Sequence, residues 1–443
     1  MKNVVIIGGG AAGIAAACRL ADCGTKVLLL ERSPHLGGRA ASFTHPHHRV
    51  NEKIDYGHHV LLRCCTHTLA LLEHLGMRKA VAFQPRLRVP MTDGSDAVVL
   101  KSVALPGPFH LLPGLLRYRL LTFKQRLGVA RAAAALLQQP PAENRSFEKW
   151  LRDHQQGAKS LKRLWDPICV ATLNAHTDTV SIAAAVKVFK DGFFTAHGAD
   201  LGLFTLPLFR IFAAAIPFLQ SCGGEIRLKA RVEKILIENG VASGVRLSTG
   251  EQVESSGIIT AVPPFDLLPL LPQEVAEAAT FATLTQIRWS PILNLHLWFD
   301  RPVMDEPFLI AVESAVQAIF NISQIQARDA HSHIVLSQSA AQDLINLPNE
   351  EIRDQLLAAL EKILPAVRTA RLLDTLVIKH PRATFLPAPR SESLRPKAQT
   401  PIDRLFLAGD FTATGWPSTL EGAVRSGRVA AERLIQSFSP EQL

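Results

Sequence analysis

The chain has 443 residues, 47% hydrophobic and 20% charged, which is too long for one ordinary core and predicts two domains. Its 48 basic and 39 acidic residues give a net charge of +9, a balance that favours nucleic acid or an anionic membrane surface as partner. No zinc-finger spacing or aromatic-interleaved basic motif accompanies that charge, so nucleic acid is excluded. The six cysteines contain no C-x-x-C and read as a reduced, cytosolic set. The apolar N-terminus runs straight into glycines rather than reading as a signal peptide, and no run of ~18 uncharged apolar residues predicts a membrane span.

Lys2–Ile7 is a short apolar run followed by Gly8-Gly9-Gly10-Ala11-Ala12-Gly13 and an Ala-rich stretch to Cys23. A second apolar run, Thr25–Leu30, ends on Glu31. The order predicts strand, glycine turn, helix, strand. Gly8 permits the tight turn, Gly10 lets N–H groups approach a pyrophosphate, and Gly13 lets the helix pack on the strand. Ala12 belongs to the same turn. Glu31 stands where a carboxylate accepts a ribose hydroxyl, which disfavours a 2′-phosphate and hence NADP.

Past the acid, Arg32 leads through a loop to Gly37-Gly38-Arg39. This continuation resembles the glutathione-reductase-like flavoproteins, in the amine oxidase and phytoene desaturase branch. The resemblance implies FAD, with Gly37 and Gly38 over its pyrophosphate and Arg32 and Arg39 close by.

Residues 40–60 carry His45, His47, His48, His58 and His59. Pro46 and the polar residues between them predict a loop, not a fixed ligand set, so no metal is expected. Asp55–Leu62 reads as the lead into a flavin-proximal helix that continues through Thr68–Leu75 and stops at Gly76. Asp55, Gly57, His59, Val60, Leu61 and Leu62, followed by T-x-x-L-x-L-L-x-x-L-G, resemble the squalene-associated FAD-dependent desaturases, understood as hydroxysqualene dehydroxylases of hopanoid biosynthesis. His58 and Arg63 depart from that pattern, where glutamine and glycine are expected. The resemblance places Gly57 and His58 beside the cofactor.

Residues 105–131 interleave Leu105, Phe109, Leu111, Leu112, Leu115, Leu116, Leu120, Leu121, Phe123 and Leu127 with Arg117, Arg119, Lys124, Arg126 and Arg131, and no acid lies between Asp96 and Glu143. The pattern suits an interfacial, membrane-facing element, with a solvated amphipathic helix as the alternative. Trp165-Asp166-Pro167 then sets one carboxyl in an apolar run, matching a segment of the same family. Asp166 is either a helix cap or an acid whose pKa apolar surroundings raise. Residues 201–219 read as buried or interfacial helix.

Ala230–Leu236 and Val241–Leu247 alternate with period two around Asn239-Gly240, which predicts a hairpin. The flavoprotein resemblance puts the backbone of Val232 against adenine. Residues 285–300 and 334–338 read as strands and Glu351–Leu364 as a helix. Arg404–Asp410 reads as a strand ending in Gly409-Asp410, whose acid holds the ribityl chain or pyrophosphate in the family. Ser418-Thr419-Leu420-Glu421 has capping-box spacing, and the helix it opens at Leu420 would aim free N–H groups at the flavin.

Together these readings predict an α/β fold, an amine-oxidase-like FAD (Rossmann) domain interrupted by an α+β substrate domain. The FAD domain takes 1–90, 205–265 and 400–443; the substrate domain takes 91–204 and 266–399 and carries the membrane-facing helices. The family resemblance implies reductive loss of water from hydroxysqualene to give squalene. Asp166 is the first candidate acid and His59 the second. Carotenoid-type desaturation is the enzyme alternative; a non-catalytic isoprenoid-binding protein like the Rab escort proteins is the remote one. Expected partners are a triterpene substrate, an anionic membrane surface and an upstream hydroxysqualene synthase. The expected location is cytoplasmic, on the inner face of the membrane.

Overall fold

The computed structural model describes residues 3–45, 53–139, 144–327 and 332–438. His47 and His48 lie outside them. The first apolar runs become parallel strands, Asn3–Ile7 beside Lys26–Leu30, joined by the helix Ala11–Asp22. Gly257–Thr260, Leu405–Leu407 and Glu225–Arg227 complete a five-stranded parallel sheet, so three distant stretches of chain build one layer. Both faces are covered, as near-continuous apolar strands such as VVII and VLLL require. The helices Ala11–Asp22 and Leu420–Ser437 pack on one face. A three-stranded antiparallel sheet packs on the other through Val232, Ile235 and Val245.

Gly13 is needed for this packing: a Cβ there would stand 1.9 Å from the Gly8 carbonyl oxygen. The hairpin at Asn239-Gly240 forms with positive φ at both residues (49° and 80°), the twist that suits a two-residue turn.

A seven-stranded sheet lies beyond, running in order Leu372–Phe385, Trp289–Phe299, Ser332–Ser339, Ala318–Asn321, Phe308–Ala311, Arg88–Thr92 and Ala97–Lys101. Leu293, Leu295 and Leu297 point to one face, where the helix Asn349–Ile363 packs. The alternate residues Ile292 and Asn294 point to a cavity between the two sheets. A helical cluster over residues 118–194, centred on Phe147, Trp150 and Trp165, closes a third side.

Two local readings are corrected here. Val60–Leu62 is a strand paired with Leu201–Phe204, not the start of a helix; the helix begins at Thr66. The same pairing makes Leu201–Phe204 a strand, leaving two short helices, Leu208–Ala213 and Ala215–Ser221, in the stretch read as helix. Each strand finds its partner far along the chain, which local periodicity cannot show.

Candidate active site

The glycine turn opens into a cavity of about 2080 Å³, roughly twice the ~1,000 Å³ upper end of an ordinary small-ligand pocket. Gly8, Gly10, Ala12, Glu31, Arg32, Gly38 and Arg39 line one end. Gly10 is the cradle. A Cβ added there would find its nearest protein atom 3.9 Å away, the Gly38 Cα, so the space in front of it is open. Gly37 and Gly38, with φ of 112° and 59°, fold the loop back against Gly10. The carboxylate of Glu31 accepts from Gly9 N at 2.6 Å and Ser33 N at 2.7 Å, which fixes it under the turn. Arg32 is paired in two hydrogen bonds with Asp266. Val232 is buried and lines the same end.

Further along, Arg39 donates to the Ala383 carbonyl at 2.6 Å and to the carboxylate of Asp410, whose other oxygen accepts from Ser418. Gly409 has a φ of 142°, which only glycine adopts readily, and it delivers Asp410 into the cavity.

The C-terminal helix starts differently from the predicted capping box. Thr419 is its N-cap, accepting from Gly422 N at 3.3 Å, and Leu420 at its first position lines the cavity. Glu421 turns away and caps another helix. It accepts from Thr68 N at 2.7 Å, Thr68 Oγ1 at 2.8 Å and His67 N at 3.1 Å, at the start of Thr66–His74. Ser418, freed from capping, serves Asp410.

The cavity continues between Gly57, His58, His59, Asn294 and His380 into an apolar chamber that includes Met91, Leu100, Leu164, Phe308 and Val312. Gly57 has no room for a side chain, because a Cβ would stand 2.5 Å from Asn294 Nδ2. The surface His58 retains faces this enclosed space. Burial, then the neighbouring His59, pulls His58 down to about 3, and burial likewise lowers His59 and His380. All three imidazoles are held neutral. His59 Nδ1 lies 3.1 Å from the Gly57 carbonyl, which can only accept, so Nδ1 carries the proton and Nε2 is a bare lone pair. His59 is therefore a base or acceptor, which corrects its reading as an acid.

Asp166 is corrected too. Burial pushes its carboxyl up, but hydrogen bonds from His176 (2.7 Å), Thr177 N (2.9 Å) and Thr177 Oγ1 (3.2 Å) outweigh burial and hold it below the usual range. It is a carboxylate, not a proton donor. The better proton donor is its partner. The bond to Asp166 raises His176 against the opposing effect of burial, and both residues line the cavity. Sequence reasoning missed His176, Asn294 and His380, which carry no local motif. Among the described residues no group of three His, Cys, Asp or Glu side chains could hold a metal.

A parallel sheet with a glycine cradle, a ribose-side carboxylate and an acid at the far strand end defines a dinucleotide-binding flavoprotein. The chain belongs to the flavin containing amine oxidoreductase family, which it matches over residues 11–435. It is an FAD-dependent oxidoreductase. It is 26% identical to the 15-cis-phytoene desaturase of Glycine max over 98% of this chain and 79% of that one. It is 23% identical to the probable zeta-carotene desaturase of Synechococcus elongatus, over 98% and 99% respectively. Among solved structures, an oxidoreductase from Methanosarcina mazei superposes with a TM-score of 0.76 at 20% identity, covering 98% of this chain and 100% of that one. Putrescine oxidase bound to putrescine gives 0.71 at 17%, covering 98% and 99%, and these two share the fold.

The residues present fit FAD: the open space before Gly10 suits the pyrophosphate, Glu31 the ribose, and Asp410 with the N-terminus of Leu420–Ser437 the flavin end. Bound there, FAD supplies a hydride donor or acceptor beside the cavity.

Proposed function

We propose that the protein removes the hydroxyl of hydroxysqualene reductively to give squalene. The observation that carries this reading is the 2.7 Å hydrogen bond between His176 and Asp166 on the cavity wall, which raises the pKa of His176 and suits it to donate a proton. Hydroxide is a poor leaving group and needs a proton as the C–O bond breaks; general acid help of this kind contributes ~10²–10⁴-fold. His176 supplies the proton and Asp166 positions and charges it. Water leaves, and the allylic cation that remains takes up a hydride. The His176 side chain is 46% exposed, so water can reload it. The resemblance of 55–75 and 165–167 to hydroxysqualene dehydroxylases supports the same reading, with an upstream hydroxysqualene synthase as the source of substrate.

A second reading, carotenoid-type desaturation, is favoured by the relatives' names and by the bare Nε2 of His59, which suits proton removal rather than delivery. Product analysis separates the two. Photoreduced protein incubated anaerobically with hydroxysqualene should yield squalene, and His176→Asn should lose most of that turnover while His59→Ala keeps more. Phytoene desaturation by the oxidised protein, with no squalene from the reduced one, would replace the first reading with the second.

A further inference from the structure

Among the described residues, eleven large hydrophobic side chains are exposed, and seven of them fall between Val99 and Leu127. Phe123 and Phe109 are the most exposed, at 68% and 62%. They sit on firm supports. Thr122 and Gln125 form a reciprocal capping box that fixes the start of Phe123–Gln138, so Phe123 and, one turn on, Leu127 project from one face. Leu112 and Leu116 do the same from the short helix Leu112–Leu116. Arg117, Arg119 and Lys124 are exposed around them, and among the described residues none has an acidic partner. No acid occurs in the sequence between Asp96 and Glu143. Exposed apolar side chains interspersed with cations that have no acidic partner among the described residues suit one environment, acyl chains beneath anionic headgroups.

The same face lies one strand away from the cavity. In Ala97–Lys101, Leu100 lines the chamber while Val99 is exposed on the opposite side. The helix Leu112–Leu116 rests directly on that strand, with Gly114 so close that a Cβ would stand 2.2 Å from the Lys101 carbonyl oxygen.

We infer that this face docks on an anionic lipid leaflet and that the hairpin Arg88–Lys101 is the side of the chamber through which an apolar substrate arrives from the bilayer. Among the described residues no helix is long and apolar enough to cross a membrane, so the contact is interfacial. The docking stands independently of the reaction proposed above; the arrival route rests on an apolar substrate.

The test is vesicle partition of the FAD-loaded protein. Phosphatidylcholine vesicles with a third phosphatidylserine should bind the parent, and added salt should weaken binding. Each basic residue near such a surface contributes about a five-fold gain in partition. The triple change Arg117→Gln, Arg119→Gln, Lys124→Gln should therefore lower it roughly 100-fold, with FAD content and thermal unfolding unchanged. Phe123→Trp should be quenched by brominated acyl chains. Equal partition of parent and triple variant, or no quenching, would overturn the docking, as would self-association of the parent through this face without vesicle binding. For the route, the triple variant should lose turnover of substrate supplied in vesicles but keep turnover in detergent. An equal effect on both supplies would remove the route and leave the docking standing.

Discussion

Gly10 offers the sharpest perturbation, because the two glycines of one motif are held for opposite reasons. Gly10 has φ −76° and ψ 178°, which any residue adopts, and a Cβ there meets nothing closer than 3.9 Å. As the N-cap of Ala11–Asp22 it makes no side-chain cap bond. Gly10→Ala loses up to about 1 kcal/mol of capping preference and regains about 0.4–1 kcal/mol from a less flexible unfolded chain, so stability should stay within about 1 kcal/mol. Gly10→Val follows the same logic. Its side chain would fill the open space before the helix N-terminus, where a pyrophosphate would accept helix N–H groups. Losing two charge-assisted bonds of about 1.5–3 kcal/mol each should weaken FAD by roughly 10²–10⁴-fold. At Gly13, by contrast, the added Cβ lies 1.9 Å from Gly8 O, and backbone must move. Gly13→Val should unfold the domain. The assays are flavin absorbance after purification and thermal unfolding of FAD-free protein. Gly10→Val protein that keeps stoichiometric FAD, or that unfolds as Gly13→Val does, would refute the assignment.

Glu421→Ala should lower stability by about 3–5 kcal/mol, because it strips the cap from Thr66–His74 and leaves Arg425 unpaired; denaturant unfolding measures this. Glu31→Gln should weaken FAD by about 1.5–3 kcal/mol without unfolding the domain, read by titration of FAD-free protein. Squalene formation should fall as pH rises through the raised pKa of His176. Asp166→Asn should move that limb to lower pH, whereas a merely structural Asp166 would leave it in place.

The dinucleotide end was legible because it is local: strand, turn, helix and acid follow one another within Asn3–Glu31, and each glycine has a geometric reason. Asn239-Gly240 was legible for the same reason. The substrate end was not. Asp166 meets His176 only because the chain turns back after Asn174, whose φ is 51°, and nothing in Trp165-Asp166-Pro167 announces that partner. Ser418 and Glu421 show the limit of a spacing rule. The spacing fits a box within one helix, yet the serine binds Asp410 and the glutamate caps a helix some 350 residues earlier. His380 comes from Leu372–Phe385, a half-buried strand whose mixed residues lack clean alternation.

The neutral histidines have a consequence for stability that runs against the ordinary carboxylate pattern. Burial pulls His296 down to about 3 and His58 to the same level, while an unfolded histidine titrates near 6.5. His296 is also hydrogen-bonded to His333, 3.0 Å between ring nitrogens, an arrangement that needs a neutral acceptor. Each group's folded pKa is depressed, so its contribution is complete above 6.5 and drains away as pH falls toward 3. At pH 5 the unfolded chain gains about 2 kcal/mol per histidine, or about 4 kcal/mol for the pair. Asp55 opposes this. Burial, against hydrogen bonds from Ser42 and Leu208 N, raises it to about 6, and the proton it takes up in the folded state returns about 1.4 kcal/mol at pH 5. For these three groups the balance is a loss of about 3 kcal/mol between pH 7 and pH 5; the lowered His59 and His380 add in the same direction and the raised His176 opposes them. Urea unfolding of FAD-free protein at the two pH values measures it, and His296→Gln should remove about half of the histidine contribution. A midpoint that stays constant from pH 7 to pH 5, or a loss that persists in full when His58 and His296 are both replaced, would show that these imidazoles are not held neutral by the fold.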